Sequence, residues 1–554
     1  MKKIKQIICI LLAIAMAAAL IACGTGTPDA SENVASPGPT TGSQSSPAPT
    51  TGGQTSPGVG APTTPTFTPA EEGTKYAEEL TIILDANRIT TLDHGNAANA
   101  TVATGWAWIL IRDTLVRLSN DASTIEPMLA KSWETDDYQH FTFHLRDDVY
   151  FSNGERFTAE DVVYTINRAK ESLGANVYDY YSPVMSMNIV DDFTVELELE
   201  AVSVDFLDII SSSHCSILNK KAMEEDPVKG SLIGTGAYTV EQFVPDEYCV
   251  FAANENYWGG APTTKKLTLR YLAEQSARLL ALESGEAQVA GGLNTAEYSY
   301  VDSNPDLDFI SYPMEANMPV GYNMTDPLTG DINFRWAVAH AVRRDEIIAA
   351  ARTGWGIAPP DGSFWGWATE YRNTSIPLPV YDQDLAKEYL AKSVYNGEDV
   401  EIVAAFDDII AASQALQQQL KEIGINAELF VTDIGGLMQH CLYADNKSQL
   451  RIMGGPFSRI PSSINNYVYP GAFGNMSSYN KDEVTQLLDA AFSNTNIAER
   501  EAQYKEVQRI VAEDIPYVPL YYMVQGLAVK KGVEGMVLRS SDAHDLRYIR
   551  MAVN

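Results

Sequence analysis

Glu401-Ile-Val-Ala-Ala405, then Ala412, Leu416, Leu420 and Ile423 on one helical face, then Gly424, then Asn426-Ala-Glu-Leu-Phe-Val431: this stretch decides the fold. A short apolar run, an amphipathic helix stopped by glycine, and a second run with Ala427, Leu429 and Val431 on one side read as strand, helix, strand. The same syntax occurs earlier. Leu267-Thr-Leu-Arg-Tyr271 alternates as a strand, Glu274 to Ser284 follows as a helix stopped by Gly285, and Gln288-Val-Ala290 resumes as a strand ending in Gly291-Gly292. Each is a β-α-β unit, so parallel strands with right-handed crossovers are expected in two separate regions of an α/β chain. Ligands of open α/β sheets sit beyond the carboxyl ends of the strands. That rule points at Gly291 to Asn294 and at Phe406 to Asp408, and makes Gly292, Asn294, Phe406 and Asp407 candidate ligand contacts.

Outward from these units, helices are expected over Glu483 to Phe492 and Ile497 to Glu513. Asp514-Ile-Pro516 ends the second, and Tyr517-Val-Pro-Leu-Tyr-Tyr522 reads as extended. The chain closes on short strand-like pieces, which predicts a return to an earlier domain.

The two ends of the sequence differ in kind. Lys2, Lys3 and Lys5 precede an apolar stretch from Ile7 to Ala22, and Leu20-Ile-Ala-Cys23-Gly24 has the form of a lipoprotein cleavage site, with Cys23 the lipidated residue. Residues 1–22 are thus a signal peptide, the alternative being an uncleaved anchor for which the apolar run is short. From Gly24 to Ala70, 39 of 47 residues are Gly, Ser, Thr, Pro or Ala, including a decapeptide repeated at Ser36–Ser45 and Ser46–Thr55. Such a segment cannot bury enough apolar area to offset its ordering entropy, so 23–70 is expected to be a disordered linker holding the protein at a membrane. Cys215, Cys249 and Cys441 remain after the leader, with no metal-binding spacing among them. Cys249, inside Tyr248-Cys-Val-Phe251, reads as a buried inert thiol.

The 554 residues carry 39 Lys+Arg against 72 Asp+Glu, a net charge of −33. Three of the lysines belong to the leader and two of the acids, Asp29 and Glu32, to the linker, which leaves −34 on residues 71–554. A body this acidic is repelled by phosphate backbones, which argues against nucleic-acid binding. Catalytic signatures are absent: no metalloprotease helix, no nucleophile elbow, no phosphate-binding loop. Gly234-Thr-Gly236 lacks a third glycine and leads into a strand-like run. His140 and His144 lie about 13 Å apart along a strand, too far to chelate one ion. No metal site and no cofactor are expected. Aromatic residues are the more specific signal: Trp106 and Trp108 close to the first strand, Leu80 to Leu84, and Phe364-Trp-Gly-Trp367 beyond a turn-rich stretch, are candidate cleft walls, with ordinary core packing the alternative for each. Asn87, just after the first strand, joins Trp106, Trp108, Trp365 and Trp367 in the candidate set.

Several blocks in order resemble family 5 extracellular solute-binding proteins, the oligopeptide, dipeptide and nickel-binding group of ABC importers. They are Arg112-Asp-Thr-Leu-Val-Arg-Leu118, Pro127-Met-Leu-Ala-Lys-Ser-Trp133, Phe141-Thr-Phe-His-Leu-Arg-Asp147, Val149-Tyr-Phe-Ser-Asn-Gly154, Phe157-Thr-Ala-Glu-Asp-Val-Val163, Gly234-Thr-Gly-Ala-Tyr238, Asn254-Glu-Asn-Tyr-Trp-Gly-Gly260, Phe334-Arg-Trp-Ala337 and Ile515-Pro-Tyr-Val-Pro-Leu-Tyr521. The resemblance implies a two-lobed, type II periplasmic-binding-protein-like clamshell: lobe I of 71–315 plus 520–554, lobe II of 316–519, and a hinge at Tyr322, Asn323, Leu520 and Tyr521. It further implies a monomeric, non-enzymatic protein that binds a peptide or other small molecule between the lobes and hands it to an ABC permease. A ligand-sensing receptor on the same fold, or a tethered hydrolase, are the alternatives. Peptide-binding relatives place an Asp four residues before a proline to pair with the peptide's ammonium. Here Pro461 puts Phe457 at that position, and Arg459 nearby suits a carboxylate instead; Asp407 or Asp408 is the alternative source of charge.

Overall fold

The computed structural model describes residues 73–553 apart from 86–88, 97–101, 174, 443–447 and 541–542. The leader, Cys23, the linker to residue 70 and Asn87 lie outside them. Both β-α-β units are present. Val400–Ala404 and Ala427–Val431 pair in parallel, Val400 opposite Ala427. The helix Asp407–Glu422 buries Ile409, Ala412, Leu416 and Leu420, and Gly424 behind it holds φ +95°. In the earlier unit, Lys266–Tyr271 and Val289–Ala290 are not neighbours. Glu79–Leu84 lies between them and runs parallel to both.

These strands belong to one twelve-stranded sheet, whose order in space is 427–431, 400–404, 450–452, 307–322, 517–530, 289–290, 79–84, 266–271, 248–253 and 238–244, with 356–357 and 455–456 paired off the path. At its middle Leu307–Tyr322 and Tyr517–Lys530 run antiparallel. Leu307 to Pro313 match Lys530 to Val524 one for one, but the register shifts between Pro313 and Asn317 and again between Met318 and Pro319, which faces Pro519. Proline offers no amide hydrogen to a ladder, which is why the interruptions fall beside these residues.

The interruption separates two cores. Tyr312, Leu527 and Val529 pack with Leu80, Ile82, Trp108 and Phe251. Met318, Val320, Tyr322, Val518, Leu520 and Tyr521 pack with Ile402, Leu416 and Leu450. The protein is therefore two-lobed, and both long strands pass from one lobe to the other. The change of core falls at 313–317. Tyr322, Leu520 and Tyr521 are fully buried in the second core, and Asn323 donates its backbone N–H to Gln449 O at 3.1 Å.

Each lobe has a further core that flanks the space between them. In the first, the antiparallel sheet 130–134, 140–145, 194–199 and 184–191 packs against the helix Ala159–Glu171 through Phe141, Phe143, Val162 and Ile166. In the second, the helices Asp482–Phe492 and Ile497–Asp514 pack Leu488, Tyr504 and Val507 around Phe364 and Trp365. The closing segments Val533–Glu534 and Arg550–Met551 pair with each other and seat Met536, Leu546 and Ile549 in the core built on Leu80. No helix among the described residues is long and apolar enough to cross a membrane.

Candidate functional site

Between the lobes lies a cavity of about 160 Å³. One wall is the end of the helix Val102–Ile111 and the residues after it, Ile109, Arg112, Thr114, Arg117 and Leu118. Asp208 and Ile209 with Ser211 to Ser213 and Ser216 form a second, and the tail residues Arg539, Ala543, Asp545 and Arg547 a third. Ser458-Arg459-Ile460 closes it from the other lobe.

The helix Val-Ala-Thr-Gly-Trp-Ala-Trp-Ile-Leu-Ile carries no charge on any face, so from Thr104 to Ile111 all but the half-buried Ile109 is buried, and Arg112 goes down with it. Gly234 and Gly236 make room for this. Gly236 donates its N–H to Ile111 O at 2.9 Å. A Cβ on Gly234 would stand 1.8 Å from Ile111 O and 2.5 Å from Arg112 Cγ. The Gly-Thr-Gly pair is therefore a close-approach device between backbones. Gly234→Ala is expected to cost on the order of 1–3 kcal/mol, read as a lower urea midpoint, because backbone rather than a yielding side chain meets the new methyl. An unchanged midpoint would refute this.

Burial governs the charges here. Arg112 bonds Leu92 O through Nη2 at 2.7 Å, beside the Trp108 Nε1 bond to the same oxygen at 2.8 Å, and burial pulls its guanidinium down to about 10. Asp113 accepts from Trp258 Nε1 at 2.9 Å, Thr235 Oγ1 at 3.1 Å and Tyr257 OH at 3.2 Å. Burial raises its carboxyl, against the pull of Arg547 at 3.4 Å. Burial acts the same way on Asp545, but the Arg547 ion pair overrides it and brings the carboxyl down to about 2. Arg117 pairs with Glu126 at 2.8 Å, and Arg539 donates to Leu118 O at 2.9 Å.

Across the mouth the lobes are joined by ion pairs. Arg459 bonds Asp208 and reaches Ser123 O at 3.0 Å in the facing lobe, while also pairing with Glu370 in its own. Arg500 grips both oxygens of Asp205, at 2.7 and 2.8 Å, and Ser462 Oγ donates to the same carboxylate at 2.9 Å. These contacts tie 205–208 to 459–500 and hold the cleft shut.

Of the ligand contacts expected from sequence, Arg459 lines this cavity, and the other described ones do not. Trp106 and Trp108 are core residues, Trp106 with its ring 4.7 Å from His544, because their helix is apolar all round. Trp365 is 1% exposed and packs on Tyr504. Trp367 is half-buried, edge-on to Tyr522. Phe457 packs between Phe364 and Tyr467. The strand-end rule also points away from the cavity. Gly292, at φ +65°, gives its carbonyl to Arg278, and Asn294 caps the helix Thr295–Ser303 by accepting from Ala296 N at 3.0 Å. Phe406 holds φ +72° before the helix that Asp407 opens, Asp407 is exposed, and Asp408 pairs with Arg352 at 3.4 Å. His140 and His144 meet Asp137 and Glu134 at the surface, and no group of three metal-ligating side chains occurs among the described residues. Cys215, Cys249 and Cys441 are buried.

The residues that sequence reasoning passed over are Arg112, Arg539, Arg547 and the serines from 211 to 216. Arg112 opens the block Arg112-Asp-Thr-Leu-Val-Arg-Leu118. An arginine closing an uncharged apolar helix was the available signal.

A sequence profile of bacterial extracellular solute-binding proteins, family 5 (middle), matches residues 124–490. Heme-binding protein A of Haemophilus influenzae is 25% identical over 468 residues, covering 77% of this chain and 84% of its own length. Glutathione-binding protein GsiB of Escherichia coli is 23% identical over 474 residues, covering 80% and 89%. Among solved structures, the periplasmic binding protein DppA of Helicobacter pylori, in complex with the peptide STSA, superposes with a TM-score of 0.67 at 25% identity, over 86% of this chain and 98% of its own.

Proposed function

Because this chain belongs to family 5 of the bacterial extracellular solute-binding proteins, the type II, non-enzymatic binding components of ABC importers, we propose that it captures a peptide or peptide-like solute between its lobes and delivers it to a permease. The observation that carries this reading is the cavity whose walls come from both lobes and whose mouth is bridged by Arg459 and Asp208. A solute that touches both lobes binds the shut form more tightly than the open one and so shifts the population toward it. The relatives named for glutathione and for a bound peptide favour a short peptide, while the one named for heme keeps a macrocycle as the alternative that the experiment below separates.

In this reading lobe I comprises 71 to about 315 and the chain from about 524 onward, and lobe II the residues between, with the bend taken up by the interrupted register at 313–317 and its partners Tyr522 to Val524, a few residues beyond the boundary at 520 that the sequence suggested. Phe457 leaves no carboxylate at the position where peptide-binding relatives hold the ligand's ammonium. The same proposal has the leader export the chain, and a lipid on Cys23 tether the folded part to the outer side of the cell membrane through the linker, a reading supported by the lipoprotein form of Leu20–Gly24. Cys23→Ala is expected to abolish incorporation of labelled palmitate into the protein; label retained by the variant would refute the anchor.

Native mass spectrometry of gently purified protein is expected to show the chain with a small peptide-like adduct that disappears on denaturation. A porphyrin-sized adduct, or turnover of the adduct by the protein, would overturn the proposal.

A further inference from the structure

We infer that the solute is anionic, a peptide-like molecule whose carboxylate is held by Arg112; this rests on the solute-binding reading above. Five guanidinium groups line the cavity, from Arg112, Arg117, Arg459, Arg539 and Arg547, against two carboxylates, Asp208 and Asp545. That excess sits inside a chain whose net charge is −33. Both lining carboxylates are already engaged, Asp545 by Arg547 and Asp208 by Arg459. A ligand ammonium entering here would compete with an arginine for either.

Arg112 is the group that waits for a partner. It is 2% exposed, and its Nε and Nη1, three N–H bonds between them, have no hydrogen-bond partner among the described residues. Asp93, whose field reaches it, is bonded to Arg168. In the same cavity lining the Ser216 hydroxyl is buried and likewise has no partner. A buried guanidinium with three of its N–H bonds unmet is penalised, and the penalty is relieved when an anion accepts them. A carboxylate does so through charge-assisted bonds, the strongest class of hydrogen bond available to a peptide-like solute. Arg459, which the sequence suggested for this task, is spent on Asp208, Glu370 and Ser123, so it closes the mouth and leaves recognition to the floor.

The test uses the mature chain freed of co-purifying solute, titrated calorimetrically with tri-glutamate, tri-glutamine amide, tri-lysine amide and inorganic phosphate. Tri-glutamate is expected to bind roughly 10- to 100-fold more tightly than tri-glutamine amide, as charge-assisted bonds imply, and tri-lysine amide, which has no carboxylate, not to bind. Arg112→Lys should erase most of that preference. Ser216→Ala, which removes a hydroxyl with no partner among the described residues, should fold normally and weaken tri-glutamate several-fold. Equal binding of tri-lysine amide or of tri-glutamine amide overturns the inference, as does tri-glutamate affinity unchanged in both variants. Saturation by phosphate alone, with the same dependence on Arg112, overturns the peptide carboxylate in favour of a free oxyanion. An adduct without an acidic group in native mass spectrometry sinks this inference and leaves the solute-binding reading standing. No adduct and no binding of any probe sinks both.

Discussion

Asp205→Ala is expected to pull the lobes apart and to destabilise the shut protein by about 3–5 kcal/mol, the range for stranding one member of a buried ion pair. Arg500 is held by both oxygens of Asp205, and the two side chains are 1% and 8% exposed. After the substitution Arg500 keeps one bond from Nε to Ala491 O at 3.1 Å, the faces of Tyr371 and Tyr504, and the fields of Asp208 and Glu370. Both of those carboxylates are already paired with Arg459. Because Asp205 and Arg500 belong to different lobes, opening the cleft offers the stranded guanidinium water. The variant should therefore show a larger radius of gyration in solution scattering, a lower thermal midpoint and weaker solute binding. Lys392→Ala is the control. Its ion pair with Glu388 is more than half exposed, so it should move stability by less than about 0.5 kcal/mol. Scattering curves that superpose for Asp205→Ala and the parent chain would dispose of the latch.

The second large effect is one of pH, and it belongs to Glu315 in the interrupted stretch of the long strand. This side chain is 2% exposed, accepts from Ala368 N at 2.8 Å, and burial pushes its carboxyl up to about 7 against the opposing pull of that N–H and of Arg372. A folded pKa above the ordinary 4.5 means the fold prefers the protonated acid. The stability it contributes is fully present below pH 4.5 and drains away as pH rises toward 7, by on the order of 3 kcal/mol in all. Glu315→Gln keeps the volume and the acceptor but cannot ionise. The variant should match the parent near pH 5 and exceed it in thermal midpoint at pH 8. Taking the difference between the two proteins removes other groups lifted by burial, such as Asp161 at about 6. Parallel midpoint curves across that range would rule the assignment out.

Much of the architecture was legible because it is written locally. Ile402, Val403 and Ala404 form a buried strand, Leu416 and Leu420 return at helical spacing, and Gly424 stops the helix; each signal involves residues within one turn or one strand. The cavity is not local. Arg112 and Arg547 are more than four hundred residues apart in sequence, yet line one space, and no periodicity links them. The tryptophans do not line this cavity, since a large ring beside glycine suits a core as well as a cleft. Read by its full circumference, the helix carrying Trp106 and Trp108 has no charged face and declares itself buried. The strand ends lie elsewhere too, with Asn294 and Phe406 standing at the starts of helices.

The two long strands have a consequence for how this protein is made. Leu80 and Ile82 share their core with Leu527, Leu546 and Ile549, Thr264 Oγ1 bonds Ile549 O, and Ala77 N bonds Met551 O. The lobe that leaves the ribosome first cannot be completed until nearly the last residue has been added. Such distant pairings form late, so the core built on Leu80 closes only once nearly the whole polypeptide is available, whereas the neighbouring core of residues 115–217 has all its buried partners within one continuous stretch.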